Sequence, residues 1–328
     1  MTFTLMPSYP HLLADIGGTN ARFALEVAPN QLAAISVLAC GDHATLSDAL
    51  RSYLTSDSAI QSGAQQVSKV AIAIANPVHG DVVQMTNHHW SFSISAVQSE
   101  FGFATLLVVN DFRALAMALP ALNQQQKIQV GAGEVQEHAA IGLLGAGTGL
   151  GVSGLIPSAA GWVALDSEGG HTSFSPTNER EIAILQFALK KYQHVSSERL
   201  MSGAGLQLIY QALASYRQQA AEELDPPEIM RRGLSDACPL CRETLTTFCE
   251  LLGTMASNLA ITLGAKGGVY IGGGIVPRLG AFFNASNFRS RFEQKGRFGG
   301  YLSQIPTFII TEPYPAFIGI SVLLAQAL

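Results

Sequence analysis

The stretch Asp15-Ile16-Gly17-Gly18-Thr19-Asn20 decides how this chain is read. It lies between two apolar runs, Leu12-Leu13-Ala14 and Ala21 to Leu25. The first run reads as a buried strand ending at a carboxylate, and the second as another strand leaving the turn. Paired glycines permit a tight turn, because they tolerate positive φ and let a ligand approach the backbone. The unit is therefore strand, glycine turn, strand, with no helix after the turn. Backbone N–H groups and the Thr19 hydroxyl in such a turn suit phosphate oxygens. The Asp15 carboxylate suits a hydrated Mg²⁺, which takes hard oxygen ligands and keeps several waters. The same six residues also fit an ordinary hairpin with a polar turn.

A second unit of this kind is Gly145-Ala146-Gly147-Thr148-Gly149-Leu150-Gly151, preceded by Ile141 to Leu144 and followed by Val152 to Ile156. Its glycines stand at every second position. They match neither the G-x-G-x-x-G register nor a P-loop, which would need a Lys-Ser/Thr pair. Two such units, one per half, suggest an internally duplicated fold that grips phosphates from both sides. A glycine-rich hairpin bent for packing is the alternative. A third glycine cluster, Gly272-Gly273-Gly274, ends the run Gly268 to Ile271 and precedes a helix pattern. Three glycines let a flat ring approach the backbone, which suits an adenosine.

The apolar run Thr105 to Val109 ends at Asn110-Asp111. A carboxamide and a carboxylate at the C-terminal end of a buried strand stand where open α/β sheets bind ligands. Asn110 can donate to and accept from a hydroxyl, and Asp111 can accept a hydroxyl proton. Asp111 equally suits the cap of a helix starting at Phe112, and the two roles are compatible. An unshifted Asp is ionised at pH 7 and serves as a base without tuning. In Glu168-Gly169-Gly170-His171 an acid and an imidazole flank two glycines, an arrangement that can hydrogen-bond neighbouring hydroxyls of a polyol. A metal would need three or four converging ligands, and no further Cys or His lies nearby; a plain surface loop is the third reading. Ser196 to Leu200 starts a short helix, and Ser202-Gly203-Ala204-Gly205 opens the next. Glu198 lies in the first of these, where spacing alone does not separate a ligand from a cap or a solvated acid.

The remaining pattern alternates strands with helices, as in α/β proteins. Strands are expected at Val67 to Ala75, Val82 to Met85 and Pro306 to Ile310. Helices are expected at Leu46 to Leu54, Ser95 to Phe101, Arg113 to Leu119, Glu179 to Tyr192, Leu245 to Leu263 and Ala316 to Leu328. Ala220 to Asp236 is the most polar stretch, and its Asp225-Pro226-Pro227 reads as a loop in a surface excursion. Cys238-Pro239-Leu240-Cys241 is a lone C-x-x-C without the second pair of a zinc site or a thioredoxin context, so it reads as two thiols near a helix start.

With 328 residues the chain suits about two domains. Hydrophobic residues make up 48% and charged residues 13%, which supplies a sizeable core and argues against disorder. A formal net charge of -5 argues against nucleic acid as the main partner. Four cysteines in a chain this long make no disulfide framework and fit reduced thiols in a cytoplasmic compartment. Met1 to Pro10 lacks the positive start of a signal peptide. The uncharged segment Ala139 to Leu165 is broken by seven glycines and Pro157, so it reads as strands and turns and not as a membrane span.

The set LLADIGGTNARFAL, NPVHGDVVQMTNHHWSFS, VVNDFRALAMALP, GAGTGLGV, EGGH, SSERLMSGAG and GGVYIGGGIVPR resembles the bacterial glucokinases, of the sugar kinase, actin and heat-shock ATPase superfamily. The motifs run in family order from about residue 12 to residue 315. The resemblance implies an α/β, duplicated ribonuclease-H-like (actin-like ATPase) fold with an interdomain cleft. Residues 1–121 with 312–328 would form a small domain and residues 122–311 a large one. It implies phosphoryl transfer from MgATP to the 6-hydroxyl of D-glucose, with Asp111 as catalytic base. Asn110, Asp111, Glu168, His171 and Glu198 would line the sugar. Ala14, Asp15, Ile16, Gly17, Gly18 and Thr19 would form the first phosphate loop, with Asp15 near Mg²⁺. Gly145, Gly147, Thr148 and Gly149 belong to the second loop, and Gly272, Gly273 and Gly274 flank adenosine. A cytoplasmic homodimer without nucleic-acid or membrane partners is expected. The alternatives are a non-catalytic sugar-sensing regulator or a kinase of another hexose. The 14 residues before Asp15 are too few for the DNA-binding domain of a regulator. Departures from the family pattern are Ser167 in place of Gly before EGGH, Ala204 in place of Pro, and Ala316 in place of Gly.

Overall fold

The computed structural model describes residues 9–159 and 161–327. Most of the Met1 to Pro10 reading, and the last residue of the terminal helix, lie outside these. The chain divides into two compact units: one runs to Ala121 and resumes at Pro313, and the other is Leu122–Glu312.

The first unit contains β1 (His11–Ile16), β2 (Asn20–Ala28), β3 (Gln31–Ala39), β4 (Lys69–Ile74), β5 (Val82–Gln84), β6 (Ser91–Ser93) and β7 (Thr105–Asn110). Its five-stranded sheet has the order β3-β2-β1-β4-β7, while β5 and β6 form a separate ribbon. β1, β2 and β3 form an antiparallel meander, and β4 and β7 add in parallel. Ile16 pairs with Ile74, and Ile74 with Asn110. The C-terminal ends of β1, β4 and β7 are therefore level, which brings the Asp15 and Asn110 positions to one rim. Alternate residues divide between the two faces. Leu12, Ala14, Ile16, Val70, Ile72 and Ile74 join the core cluster that also holds Leu50 and Tyr53 of helix Leu46–Leu54. Leu13, Ala71 and Ala73 are equally buried outside that cluster. A parallel strand apolar on both faces is the expected pattern when both faces are covered.

Helix Asp111–Ala118 follows β7 directly and packs on helix Pro315–Ala327. The two backbones come so close that a Cβ built on Gly319 would lie 1.7 Å from the Ala114 carbonyl oxygen. Only glycine allows that approach.

The second unit contains β8 (Lys127–Val130), β9 (Ile141–Ala146), β10 (Leu150–Ser158), β11 (Gly161–Ala164), β12 (Val269–Gly272) and β13 (Thr307–Ile310). Its sheet has the order β11-β10-β9-β12-β13-β8. β9, β10 and β11 are antiparallel neighbours, and β12 and β13 add in parallel. This is the β3-β2-β1-β4-β7 topology again, with β8 added antiparallel at the edge. The glycine turns stand at equivalent places, between β1 and β2 and between β9 and β10. The long helix Pro239–Leu263 is buried along much of its length and ends at Gly264 with φ +61. It starts six residues before the expected Leu245, because Cys238 caps it: Cys238 Sγ accepts from the Cys241 N–H at 3.4 Å.

The segment read as an excursion differs from expectation. Pro226–Leu234 is a helix, with Asp225 as N-cap accepting from the Glu228 N–H at 2.8 Å. Asp-Pro-Pro-Glu is a helix start, since Pro at the first position has no N–H to leave unpaired and Asp supplies the cap. Among the described residues no helix is long and apolar enough to cross a membrane.

Gly319→Val should destabilise the first unit by about 2–3 kcal/mol, the cost of overpacking a closed contact. Urea unfolding checks this, and an unchanged midpoint would show that the two helices separate freely.

Candidate functional site

In the first glycine turn the Gly17 N–H donates to the Asn20 carbonyl at 2.9 Å, and the Thr19 carbonyl accepts from the Cys40 N–H at 2.8 Å. Among the described residues the Gly18 and Thr19 N–H groups have no acceptor. Gly18 is half-buried and Thr19 exposed, so these two donors are open to water or to an anion. Gly18 lies against the 86–90 loop, where a Cβ would come within 3.1 Å of the Asn87 carbonyl oxygen.

Asp15, just before this turn, sits opposite Arg22 in the β1–β2 ladder, and its Oδ2 accepts from Arg22 Nη1 at 2.9 Å. Burial raises the Asp15 carboxyl, with the Arg22 charge and hydrogen bond opposing.

At the end of β7 the helix cap is Asn110, not Asp111: Asn110 Oδ1 accepts from the Phe112 and Arg113 N–H groups at 2.9 and 3.2 Å. Asp111 is the first helical residue. Its Oδ1 accepts from the Phe112 N–H at 2.9 Å and from Asn110 Nδ2 at 3.0 Å. Asn110 Nδ2 also reaches the Asn76 carbonyl at 3.4 Å. Asn76 is itself fixed, its Oδ1 accepting from the Thr86 N–H at 3.0 Å and hydroxyl at 2.7 Å. The expectation of an unshifted Asp111 is corrected. Burial first, and the Asp15 charge second, push its carboxyl up to about 7 against the lowering effect of its hydrogen bonds.

Burial raises both carboxyls and the Asp15 charge raises Asp111 further, so a cation would offset charge at this rim. Asp15 and Asp111 therefore fit the hard-ligand demand of Mg²⁺.

The second glycine turn repeats the first. The Gly147 N–H donates to the Gly149 carbonyl at 2.8 Å, and the Gly147 carbonyl accepts from the Gly203 N–H at 2.8 Å. The Leu150 N–H donates to Glu198 Oε2 at 3.0 Å. Among the described residues the Thr148 and Gly149 N–H groups have no acceptor. Gly272 ends β12 beside Gly145, and Gly273 follows with φ +82. A Cβ on Gly273 would lie 2.3 Å from the Ala146 carbonyl oxygen, so the third glycine cluster is pressed against the second turn. The Ile275 N–H donates to that same carbonyl at 3.1 Å.

A cavity of about 570 Å³ opens beside this pair of turns. Gly147, Thr148, Gly274 and Ile275 form one wall, and Pro227, Met230 and Arg231 of helix Pro226–Leu234 line it too. Its size and mixed apolar and cationic lining suit a nucleoside with phosphates. The helix was missed from sequence because its polarity outweighed the cap signal in Asp225-Pro226-Pro227-Glu228.

Glu168 to His171 forms a tight turn, with the His171 N–H donating to the Glu168 carbonyl at 3.0 Å. Ser167, the departure from the family pattern, holds it by accepting from the Gly169 N–H at 3.1 Å. The Glu168 and His171 side chains stand 72% and 61% exposed, 3.9 Å apart, and among the described residues no third ligand completes a metal site. Arg22, Asn76 and Asn87 were not singled out from sequence. Only strand register and loop packing bring them to the rim.

The glucokinase family profile matches residues 12–327. A glucokinase of Chromobacterium violaceum is 53% identical over 328 residues, 100% of this chain and 93% of that protein. The "Bifunctional protein glk" of Paraburkholderia xenovorans is 54% identical over 97% of this chain, but the chain spans only 49% of its length. Among solved structures, a glucokinase from an Antarctic psychrotroph is 36% identical, with a TM-score of 0.87 over 97% of this chain and 99% of the other. The α/β fold is thus that of glucokinase structures. With a profile covering nearly all of its length, two duplicated glycine-turn sheets and the Asn110-Asp111 rim, this chain belongs to the glucokinase family.

Proposed function

We propose that the protein transfers the γ-phosphoryl group of ATP to the 6-hydroxyl of D-glucose. The observation that carries this is Asp111: a carboxylate held through Oδ1 by its own helix start, with its pKa moved to about 7. General-base catalysis works best near the operating pH, and burial beside Asp15 supplies that match. Family membership supports the same substrates.

In this reading Asn110 orients the sugar and Asp111 Oδ2 accepts the 6-hydroxyl proton as the O–P bond forms. Glu168, His171 and Glu198 hydrogen-bond the other hydroxyls. The unpaired N–H groups of Gly18, Thr19, Thr148 and Gly149 take phosphate oxygens. Gly272 to Gly274 and helix Pro226–Leu234 take adenosine. Phosphoryl transfer has a loose, in-line transition state, so positioning and charge neutralisation dominate. Mg²⁺, held by Asp15, would supply that neutralisation when bound. Residues 1–121 with 312–328 act as the small catalytic domain and residues 122–311 as the large one. The assembly is a cytoplasmic homodimer that engages neither nucleic acid nor membrane.

Asp111→Asn should abolish turnover while glucose binding, read by calorimetry, stays within about threefold; near-normal turnover would remove Asp111 as base. For the wild type, kcat/KM for glucose should climb with pH and level off above about pH 7, following the raised carboxyl. A profile flat from about pH 5.5 to 8.5 would contradict the assignment. The stability sign runs the other way. A carboxyl whose folded pKa exceeds its unfolded value destabilises the fold fully above the folded pKa, and this penalty fades as pH falls toward about 4. Asp111→Asn should therefore melt several degrees above wild type at about pH 8 and show a smaller gain at about pH 5. Gly147→Val, at the mouth of the 570 Å³ cavity, should raise KM for ATP by about tenfold or more and leave KM for glucose little changed; equal ATP affinity would displace the second phosphate turn.

A further inference from the structure

Glu198 is expected as a sugar ligand, yet one of its carboxylate oxygens is already engaged elsewhere in the second unit. Oε2 accepts from the Leu150 N–H at 3.0 Å. Leu150 is the first residue of β10 and the last of the second glycine turn. The carboxylate lies so close to the turn that a Cβ on Gly149 would meet Oε2 at 2.5 Å. The segment carrying Glu198 is tied down at both ends. The Ser197 N–H donates to the Thr172 carbonyl at 2.8 Å, and the Gly203 N–H donates to the Gly147 carbonyl at 2.8 Å. On the other side of Leu150, Gly170 packs so closely that a Cβ there would lie 2.0 Å from the Leu150 carbonyl oxygen.

The consequence is a division of the turn's donors. The Gly147 N–H is spent inside the turn and the Leu150 N–H on Glu198. Between them, the Thr148 and Gly149 N–H groups have no acceptor among the described residues. An anion can use only the donors left over, and only if the backbone that carries them is held in place. A charge-assisted hydrogen bond to a backbone N–H is about twice as strong as a neutral one, so Glu198 is a suitable peg.

We infer that Glu198 is a positioning residue for the second phosphate turn: by holding the Leu150 N–H it orients the Thr148 and Gly149 donors toward the nucleotide's phosphates, so that one side chain serves both substrates. This rests on the kinase reading given above. It makes nucleotide affinity depend on a residue expected to touch only sugar, and it holds even without sugar present.

The test measures MgADP binding by calorimetry in sugar-free buffer, with KM for MgATP and for glucose measured alongside. Glu198→Ala should weaken MgADP binding about tenfold, the usual scale for losing a hydrogen bond to a charged group. Glu198→Gln keeps an acceptor oxygen and should restore MgADP binding to within about threefold of wild type. Gly149→Ala should also weaken MgADP binding, because its methyl group displaces the carboxylate. In the Glu198→Ala background it should add little, which a double-mutant cycle reads directly. Equal melting temperatures for the two Glu198 variants separate the effect from misfolding. If Glu198→Ala weakens glucose alone and binds MgADP as wild type does, the inference fails and Glu198 is a sugar ligand only. If the two Gly149 effects are additive, the peg is likewise overturned. A wild-type protein that neither binds MgADP nor transfers phosphoryl would overturn the kinase reading itself.

Discussion

A backbone N–H left open in a turn is free for water or a ligand, and in each glycine turn of this protein two have no acceptor among the described residues. The Gly18 and Thr19 donors in one unit, and the Thr148 and Gly149 donors in the other, are flanked by groups that are satisfied within the protein. That constraint explains the composition of both turns. Small residues keep the donors uncovered, and the flanking strands fix their direction. It also explains the repeated topology, because each turn joins the first two strands of a meander whose partner strands end at the same rim.

Acidic charge stands beside the open donors of the first rim. Burial raises both the Asp15 and the Asp111 carboxyl, the Asp15 charge raises Asp111 further, and Arg22 offsets the rise at Asp15. The result is one carboxylate tied to an arginine and another whose proton is poised near neutral pH. A cation at this rim would relieve the repulsion. An arrangement that costs stability in this way is characteristic of functional sites.

Much of this was legible in the chain. The strand–glycine turn–strand units, the carboxylate after a buried strand and the internal duplication all depend on residues close in sequence. Periodicity and turn chemistry report such neighbours directly. The cap at Asn110 was misassigned by one residue, since Asn and Asp both cap and only the backbone angles choose. Helix Pro226–Leu234 was read as a loop because its length is short and its residues polar. It does carry a narrow apolar side, with Ile229 buried in one cluster with Cys241 of the long helix Pro239–Leu263, and that side counts only once the long helix is in place.

By itself the sequence determined the two glycine turns, the sheet-forming runs and the family, since each is encoded by contiguous residue types. Tertiary structure alone decided the pairing of Asp15 with Arg22, the raised pKa of Asp111 and the hold of Glu198 on Leu150. The two contacts bring side chain and partner together at about 3 Å across separate elements, the Asp111 shift comes first from burial, and the strength of each depends on how much water the surrounding fold excludes.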